Sequence, residues 1–259
     1  IGAPSVSAAN GSATVTYTLT YSESVTSSLD AGDITVTNGG TASSAVLSIT
    51  NVTATTADVN INVGAGDGAV TITVAAGTGT DAAGNAEALG AGPSTAFTED
   101  NTAPDAVSVT SPASGAFIND TETIIVTATD TGGSGVDYVD FYIDGSLEGT
   151  DTDYLNPPFE YSWVTDSGSY PDGPYVLSAV AYDMAGNSAV STSDPTVTVD
   201  NTAPTVTIGA PSVSAANGSA TVTYTLTYSE SVTSSLDAGD ITVTNGGTAS
   251  SAVLSITNV

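Results

Sequence analysis

The sequence predicts an all-β chain in which β-sandwiches are joined end to end, and three observations carry this prediction. Short runs in which β-branched and polar residues alternate are separated by Gly-rich turns, and no stretch has a helical period. The pentapeptide Asp-Asn-Thr-Ala-Pro occurs at 100–104 and again at 200–204. Residues 1–52 and 208–259 are identical. A boundary peptide that recurs between strand-rich segments indicates a tandem array of similar domains.

The pentapeptide sets the predicted domain boundaries. Its Pro fixes its own φ and holds the preceding Ala extended, so two domains are held end to end without a flexible tether. We predict a type A domain at 1–99, with its first strand incomplete, and a type B domain at 100–199. Residues 200–259 then begin the next type A domain. The identical segments are offset by 208 − 1 = 207 residues, so we expect a window on a longer protein that repeats as a two-domain unit.

Short alternating strands are predicted throughout the type A domain. The clearest of these strands is predicted at 13–21, where Thr alternates with Ala, Val, Tyr and Leu. Gly-rich turns such as 64–68 separate the strands. The predicted type A strands are 13–21, 34–37, 45–51, 57–63, 70–75 and 94–98.

The type B domain repeats this plan with different residues. Asp144-Gly145 is typical of a hairpin turn. In the strand before it, Val139, Phe141 and Ile143 share one face, which we assign to the core, and the alternate residues face outward. The predicted type B strands are 107–109, 121–129, 137–143, 159–164, 176–182 and 196–199. About seven short strands in about a hundred residues predict an immunoglobulin-like sandwich for each domain.

The charge of the chain is entirely negative. It has 28 Asp and Glu residues, no Lys, Arg or His, and a formal net charge of −28. Without a positive group to contact phosphate, nucleic acid and anionic membrane surfaces are excluded as direct partners, and no membrane insertion is expected. The lack of His, Lys, Cys and Arg also removes most general bases and nucleophiles. We therefore expect no enzymatic activity. Either high salt or bound cations must offset the repulsion.

Two short motifs recur in the chain and make it resemble a known protein family. Asp-x-Ala-Gly-Asn precedes the last strand of each domain, at 81–85 and 183–187, and Asp-Asn-Thr-Ala-Pro follows it. In these motifs the chain resembles the bacterial Ig-like domains of large secreted surface and adhesin proteins. Residues 139–145 and 179–183 are also similar to Ig-like repeats found beside secreted glycoside hydrolases. The resemblance implies an immunoglobulin-like fold, an extracellular cell-surface location, and a role as a spacer or adhesion module.

Calcium at the domain junctions is the predicted chemistry. In an Ig-like sandwich, the loops after the second and sixth strands lie at the pole where the chain enters, and the preceding linker arrives there too. Calcium takes six to eight oxygen ligands from carboxylates and carbonyls, whereas the usual His and Cys ligands of zinc are missing. Cadherin linkers, with Asp-Asn-x-Pro at calcium-bound junctions, are a loose parallel that lacks the cadherin Asp-Arg-Glu element. The predicted ligands of the first junction are Glu99, Asp100, Asn101, Asp130, Asp137, Asp183 and Asn187.

The same reasoning applies to the junction that precedes a type A domain. Its site is incomplete in this sequence, and a simpler interpretation competes with metal binding throughout. Asp and Asn often accept backbone hydrogen bonds two residues on and stabilise turns. The carboxylates could also serve as the solvated surface of a protein adapted to high salt. The predicted ligands here are Asp200, Asn201, Glu230, Asp237 and Asp240, with their first-copy counterparts Glu23, Asp30, Asp33 and Asp81.

The predicted function is structural. We expect a repeat segment of a giant extracellular filament or adhesin stalk, stiffened by Ca²⁺ at its junctions, whose partners are further repeats of the same chain, including lateral fibre assembly. The alternative is an adhesin module in which type B binds a surface glycan or a protein through its aromatic residues. A sandwich core is the competing explanation of those residues. They are Tyr154, Phe159, Tyr161, Trp163, Tyr170 and Tyr175.

Overall fold

The computed structural model describes residues 1–166 and 168–257, and their regular structure is almost entirely β-strand. The chain divides into two compact units, Ile1–Asn201 and Thr202–Val259. The first unit holds the type A and type B domains, and each unit is described by itself. No described helix is long and apolar enough to cross a membrane, since both helices are three-residue 3-10 turns.

The type A domain is a sandwich of two main sheets. One has the strand order β1-β9-β7-β4, with β1 parallel to β9, and the other has the order β2-β6-β5. A two-stranded ribbon, β3-β8, adjoins them. The strands are β1 (Ala8–Ala9), β2 (Thr14–Thr20), β3 (Thr26–Ser27), β4 (Ile34–Asn38), β5 (Ala45–Thr50), β6 (Thr56–Asn62), β7 (Gly68–Val74), β8 (Gly79–Thr80) and β9 (Phe97–Glu99).

The type A core lies between the two sheets because every second residue of each strand points inward. Val15, Tyr17 and Leu19 of β2 face Ile72 of β7 and Phe97 of β9 in one hydrophobic cluster. The Tyr17 and Phe97 rings lie 6.5 Å apart, and the Tyr17 hydroxyl donates to the carbonyl of Thr95 (2.9 Å). A buried phenol therefore keeps a hydrogen-bond partner inside an otherwise apolar core.

The type B domain has the same architecture. Its sheets have the orders β10-β12-β15 and β11-β18-β16-β13-β14, with β11 parallel to β18 and β17 paired to β16. The strands are β10 (Ala106–Ser111), β11 (Phe117–Ile118), β12 (Thr121–Thr129), β13 (Val136–Ile143), β14 (Ser146–Asp151), β15 (Phe159–Val164), β16 (Gly173–Asp183), β17 (Ser188–Val190) and β18 (Thr196–Val199). The all-β prediction of tandem immunoglobulin-like sandwiches is confirmed.

The type B core contains the face of β13 that was predicted to be buried. Val139 and Phe141 are fully buried and Ile143 is 2% exposed. The outward face of the same strand carries Tyr138, which stacks on Tyr182 with ring centroids 4.5 Å apart. The hairpin predicted at Asp144-Gly145 joins β13 to β14, and both of its residues have positive φ.

The second unit contains residues 208–259, which repeat the first 52 residues of the type A domain, but fewer strands are paired among its described residues. Its described strands are β19 (Val206–Ile208) and β20 (Leu226–Tyr228), which are antiparallel, followed by a 3-10 turn at Ala238–Asp240. In the first copy, β2 is covered by β6 and β1 by β9. These two partner strands, β6 and β9, follow the 52 residues that the two segments share.

Candidate metal centre

Three carboxylates from three separate segments meet between the type A and type B domains. Asp100 comes from the linker after β9, Asp130 from the loop between β12 and β13, and Asp183 from the end of β16. They each present an oxygen so that these atoms lie within 4.8 Å of one another, and we call this group the acid cluster. Asp100 is fully buried and Asp183 is 2% exposed, whereas Asp130 is half-buried.

The Asp183 loop owes its shape to the Asp-x-Ala-Gly-Asn motif. The carboxylate Oδ1 accepts the backbone N–H groups of Ala185 and Asn187, both at 2.9 Å. Gly186 has a φ of +91°, a left-handed conformation that favours glycine. The type A loop is built in the same way, with Asp81 accepting from Ala83 and Asn85. The motif therefore encodes a loop that fixes its own carboxylate.

The Gly-rich loop 130–135 brings backbone donors to the acid cluster. Ser134 donates its N–H to Asp100 Oδ2 (2.7 Å), and Gly135 donates its N–H to Asp130 Oδ2 (2.7 Å). A Cβ at Gly133 would overlap the Asp130 carboxylate. The loop also contacts the Asp183 loop, since Met184 donates its N–H to the carbonyl of Gly135 (3.0 Å). The glycines thus let this loop close around two of the three acids.

The linker is held at the cluster from both domains. Asp100 donates its N–H to Ala9 of the type A domain (3.0 Å), and its Oδ1 accepts from Thr102 (3.0 Å). Asn187 donates through Nδ2 to the Asp100 carbonyl (2.9 Å) and to Asp183 Oδ2 (2.8 Å). Asn10 of the type A domain donates to Asn187 Oδ1 (3.3 Å). The acid cluster is therefore bonded to both domains.

The electrostatics of the cluster disfavour three charged carboxylates without a cation. Burial raises the pKa of Asp130 above its usual value of 3.8, and the charges of Asp100, Asp183 and Asp105 raise it further. Backbone donation by Gly135 acts in the opposite direction. The sequence contains no Lys, Arg or His that could neutralise the group. Protonation or a bound cation would relieve this repulsion.

The donor set fits a hard divalent cation. Each of the three carboxylates presents one oxygen to the cluster, and several of their oxygens also accept backbone N–H groups. Calcium takes six to eight oxygens with flexible geometry, so carbonyl or water oxygens would complete its ligand set. Asp100, Asp130 and Asp183 would hold the ion. When bound, the ion would offset two of the three negative charges and cross-link the linker to two loops of the type B domain.

Two other predicted ligands of this junction lie elsewhere. Glu99 is fully buried in the type A domain, where its carboxylate accepts from the N–H of Ser43 (2.9 Å) and from the Ser44 hydroxyl. Asp137 is half-buried and lines a groove of about 370 Å³ with Val6, Tyr154 and Met184. The acid cluster contains neither residue.

Asn101 and Asn201 occupy equivalent positions, since Asn101 follows the last strand of the type A domain and Asn201 follows the last strand of the type B domain. Asn101 donates its backbone N–H to Asp67 (2.7 Å), and Asn201 donates its own to Asp172 (2.7 Å). Asp67 and Asp172 each precede the glycine that opens β7 or β16. The chain therefore leaves both domains through the same arrangement of backbone and carboxylate.

The side-chain amides of these two asparagines form hydrogen bonds with backbone groups at the end of the domain where the chain exits. Asn101 accepts from the N–H of Gly11 (2.7 Å) and donates to the carbonyls of Gly64 (3.2 Å) and Gly66 (2.6 Å). Asn201 accepts from the N–H of Asp120 (3.3 Å) and donates to the carbonyl of Thr165 (3.0 Å). Both side chains thus bond backbone groups of the domain that the chain leaves.

The other predicted ligands are spread over turns. Asp30 accepts from Gly32 (2.7 Å) and Asp33 accepts from Asp30 (2.9 Å) in a capping box, which Asp237 and Asp240 repeat. The Asn85 side chain and backbone lower the pKa of Asp81. Glu23 and Glu230 are exposed, and Asp200 donates its N–H to Ile118 (2.9 Å). Among the described residues, these acids form no group like the acid cluster.

Two contributors to the centre were missed at the sequence level. Asn10 lies 177 residues before Asn187, which it contacts, and no local pattern marks it. Ser134 contributes to the cluster through its backbone N–H, which any residue except Pro could supply. The sequence predicts that the Gly-rich segment 132–135 approaches the junction with its backbone carbonyls, whereas Ser134 supplies an N–H donor there.

The aromatic residues of the type B domain lie mostly in its core. Phe159 and Trp163 are 2% and 1% exposed, and Tyr161, Tyr170 and Tyr175 pack against the same cluster. The Trp163 ring meets the rings of Tyr170 and Tyr175 edge-on. Of the six aromatic residues that the sequence suggests for ligand binding, Tyr154 alone is exposed, and all six are among the described residues. This arrangement favours the core interpretation over a stacking platform for sugars.

Comparisons with known proteins agree with the fold. The family model for the bacterial Ig domain matches residues 106–179, which lie in the type B domain. That domain is immunoglobulin-like. A search of curated proteins found no match.

Several solved structures are similar to the chain. The fibronectin(III)-like modules of CbhA from Clostridium thermocellum share 22% identity at a TM-score of 0.40, with 77% of this chain and 90% of that chain covered. The N-terminal part of the bacterial S-layer protein SbsC shares 15% identity at a TM-score of 0.27, with 77% and 44% covered. SGBP-B of Bacteroides ovatus, solved with a mixed-linkage heptasaccharide, shares 17% identity at a TM-score of 0.22, with 79% and 45% covered.

Proposed function

We propose that this chain is a structural segment of a large extracellular surface protein, in which immunoglobulin-like domains form a filament or stalk. Calcium at the junction between the type A and type B domains stiffens the segment. The immunoglobulin-like fold and the 207-residue offset between identical segments, 208 − 1, support a repeated spacer. Further repeats of the same chain are the partners that such an array requires.

The acid cluster is the observation that carries this proposal. Asp100, Asp130 and Asp183 belong to three different segments, yet their oxygens lie within 4.8 Å of one another. Two of the three side chains are buried, and the chain contains no Lys, Arg or His. Buried charges are normally paired or bound to metal. A bound cation would meet this requirement.

Calcium would stiffen the junction through linkage. An ion that binds only when the linker and both loops are in place stabilises that arrangement by mass action. When free calcium is about 100 times its dissociation constant, the stabilisation is about 2.7 kcal/mol. Because Asp100 belongs to the linker and the other two acids belong to the type B domain, the same binding would fix the angle between the domains.

Thermal unfolding and solution scattering of the chain in calcium and in excess EDTA test the proposal. We expect calcium at about 100 times its dissociation constant to raise the Tm of the type B domain by about 10–20 °C, since a domain of this size shifts by about 4–8 °C per kcal/mol. Magnesium should act more weakly because it demands octahedral geometry. We also expect a larger maximum dimension with calcium. Identical Tm values and scattering profiles in calcium and EDTA would overturn the proposal.

A further inference from the structure

We infer that Asn187 is the positioning residue that couples the acid cluster to the preceding type A domain. Its calcium-dependent part rests on the proposed function, whereas its role as an interdomain lock does not. The side chain of Asn187 is half-buried at the junction. Within one amide it contacts a carboxylate of the acid cluster, the linker backbone and a side chain of the other domain.

The hydrogen bonds of Asn187 require an amide. Its Nδ2 donates to Asp183 Oδ2 (2.8 Å) and to the Asp100 carbonyl (2.9 Å), and the Thr102 carbonyl lies 3.4 Å away. Its Oδ1 accepts from Asn10 Nδ2 (3.3 Å). An amide has two N–H donors beside a carbonyl acceptor, and all of them are engaged here. Neither a carboxylate nor a hydroxyl could make this set.

The equivalent residue of the type A domain shows what the lock adds. Asn85 occupies the same place in its own Asp-x-Ala-Gly-Asn loop and donates to Asp81 Oδ2 at 2.8 Å, the distance that Asn187 keeps to Asp183. The Asn85 side chain donates within its own loop, whereas Asn187 also reaches the linker and Asn10. The two residues therefore separate the loop-forming role from the coupling role.

The position of Asn187 connects calcium binding to domain orientation. Any shift of Asp183 toward an ion moves the Asn187 amide with it, and that amide holds the carbonyl of Asp100 and the side chain of Asn10. Partners that orient metal ligands in this way typically change metal affinity 10–100-fold when they are removed. We therefore expect loss of the amide both to loosen the domains and to weaken calcium binding.

The distance between spin labels in the two domains tests the inference on the whole chain. The sequence has no cysteine, so Thr35→Cys and Ser162→Cys place one label on each domain at exposed positions. In EDTA, Asn187→Ala should at least double the width of the distance distribution, and Asn10→Ala should widen it similarly. Asn85→Ala is the matched control and should leave the width unchanged. The Tm of each variant in the same buffer tells whether its domains remain folded.

Calcium titration of the same labelled proteins separates the two proposals. We expect calcium to narrow the wild-type distribution and to bind Asn187→Ala about 10-fold more weakly than Asn85→Ala. If calcium leaves the wild-type distance distribution unchanged while that of Asn187→Ala is broader than that of Asn85→Ala, the calcium proposal fails. The role of Asn187 in holding the two domains together is then supported. If the wild type responds to calcium but Asn187→Ala and Asn85→Ala have equal widths and affinities, the coupling role of Asn187 is overturned.

Discussion

The junction disfavours the charged form of Asp130. Its pKa is raised, first by burial and then by the charges of Asp100, Asp183 and Asp105. A carboxyl whose folded pKa exceeds its unfolded value of 3.8 destabilises the fold as pH rises above that value, because the unfolded chain gives up the proton more easily. Asp81 has a lowered pKa, so its stabilisation is lost only below 3.8. The two effects occupy separate pH windows.

Asp130→Asn should stabilise the protein in EDTA at neutral pH, since it removes one of three repelling charges and keeps an oxygen that can accept from Gly135. Wild type should gain stability as pH falls from neutral toward 3.8, and the variant should gain less. The buried Trp163 is the single tryptophan, so its fluorescence reports unfolding of the type B domain. Parallel pH profiles for the two proteins would contradict this account of Asp130.

Most of the longer strands could be predicted from the sequence, although the six-residue β14 was missed, and two-residue strands could not be predicted. The boundaries predicted at 121–129, 159–164 and 196–199 match β12, β15 and β18, because alternation over four or more residues marks a half-buried strand. β1, β3, β8 and β11 are two residues each and carry no period. They exist because a neighbouring strand offers a ladder: β1 runs parallel to β9, and β11 runs parallel to β18.

The sequence could predict which segments meet at the candidate site, because that follows from the order of the strands. Strand order places the loops of Asp130 and Asp183 at one pole, and the linker brings Asp100 there. The direction of each side chain was not predictable, because it depends on which backbone groups need partners in three dimensions. Asn101 follows Asp100 directly, yet it bonds Gly11, Gly64 and Gly66 of the type A domain. The pentapeptide thus combines a candidate ligand with a residue that closes the preceding domain.

Asn101→Ala should therefore destabilise the type A domain and leave calcium affinity nearly unchanged. Loss of its three side-chain hydrogen bonds at an exposed position should cost about 1–3 kcal/mol. Calorimetry would resolve the type A transition, and isothermal titration would give the affinity for calcium. Asn201→Ala is the matched control, which should lower the stability of the type B domain as read by Trp163 fluorescence. An Asn101→Ala protein with normal stability and lost calcium binding would identify Asn101 as a ligand instead.

At the scale of the whole molecule, a formal charge of −28 makes every domain sensitive to salt. Carboxylates spread over the surface repel one another through solvent, and the Debye length falls from about 30 Å at 0.01 M salt to about 3 Å at 1 M. Sodium chloride should therefore act on the type A and type B domains alike. A metal centre differs because its effect is confined to the segments that supply the ligands. The response to salt therefore reports repulsion among the surface carboxylates, whereas the response to calcium reports the acid cluster.

We expect sodium chloride in EDTA to raise the Tm of both domains, and calcium at fixed ionic strength to raise mainly that of the type B domain. Two of the three acids, Asp130 and Asp183, lie in type B loops, whereas the type A core does not depend on the cluster. Asp130→Asn should keep the wild-type response to sodium chloride and lose most of the response to calcium. Calorimetry resolves both transitions in one experiment. If calcium and sodium chloride shift both transitions in the same proportion at equal ionic strength, the acids act only as a solvated surface and the junction needs no ion.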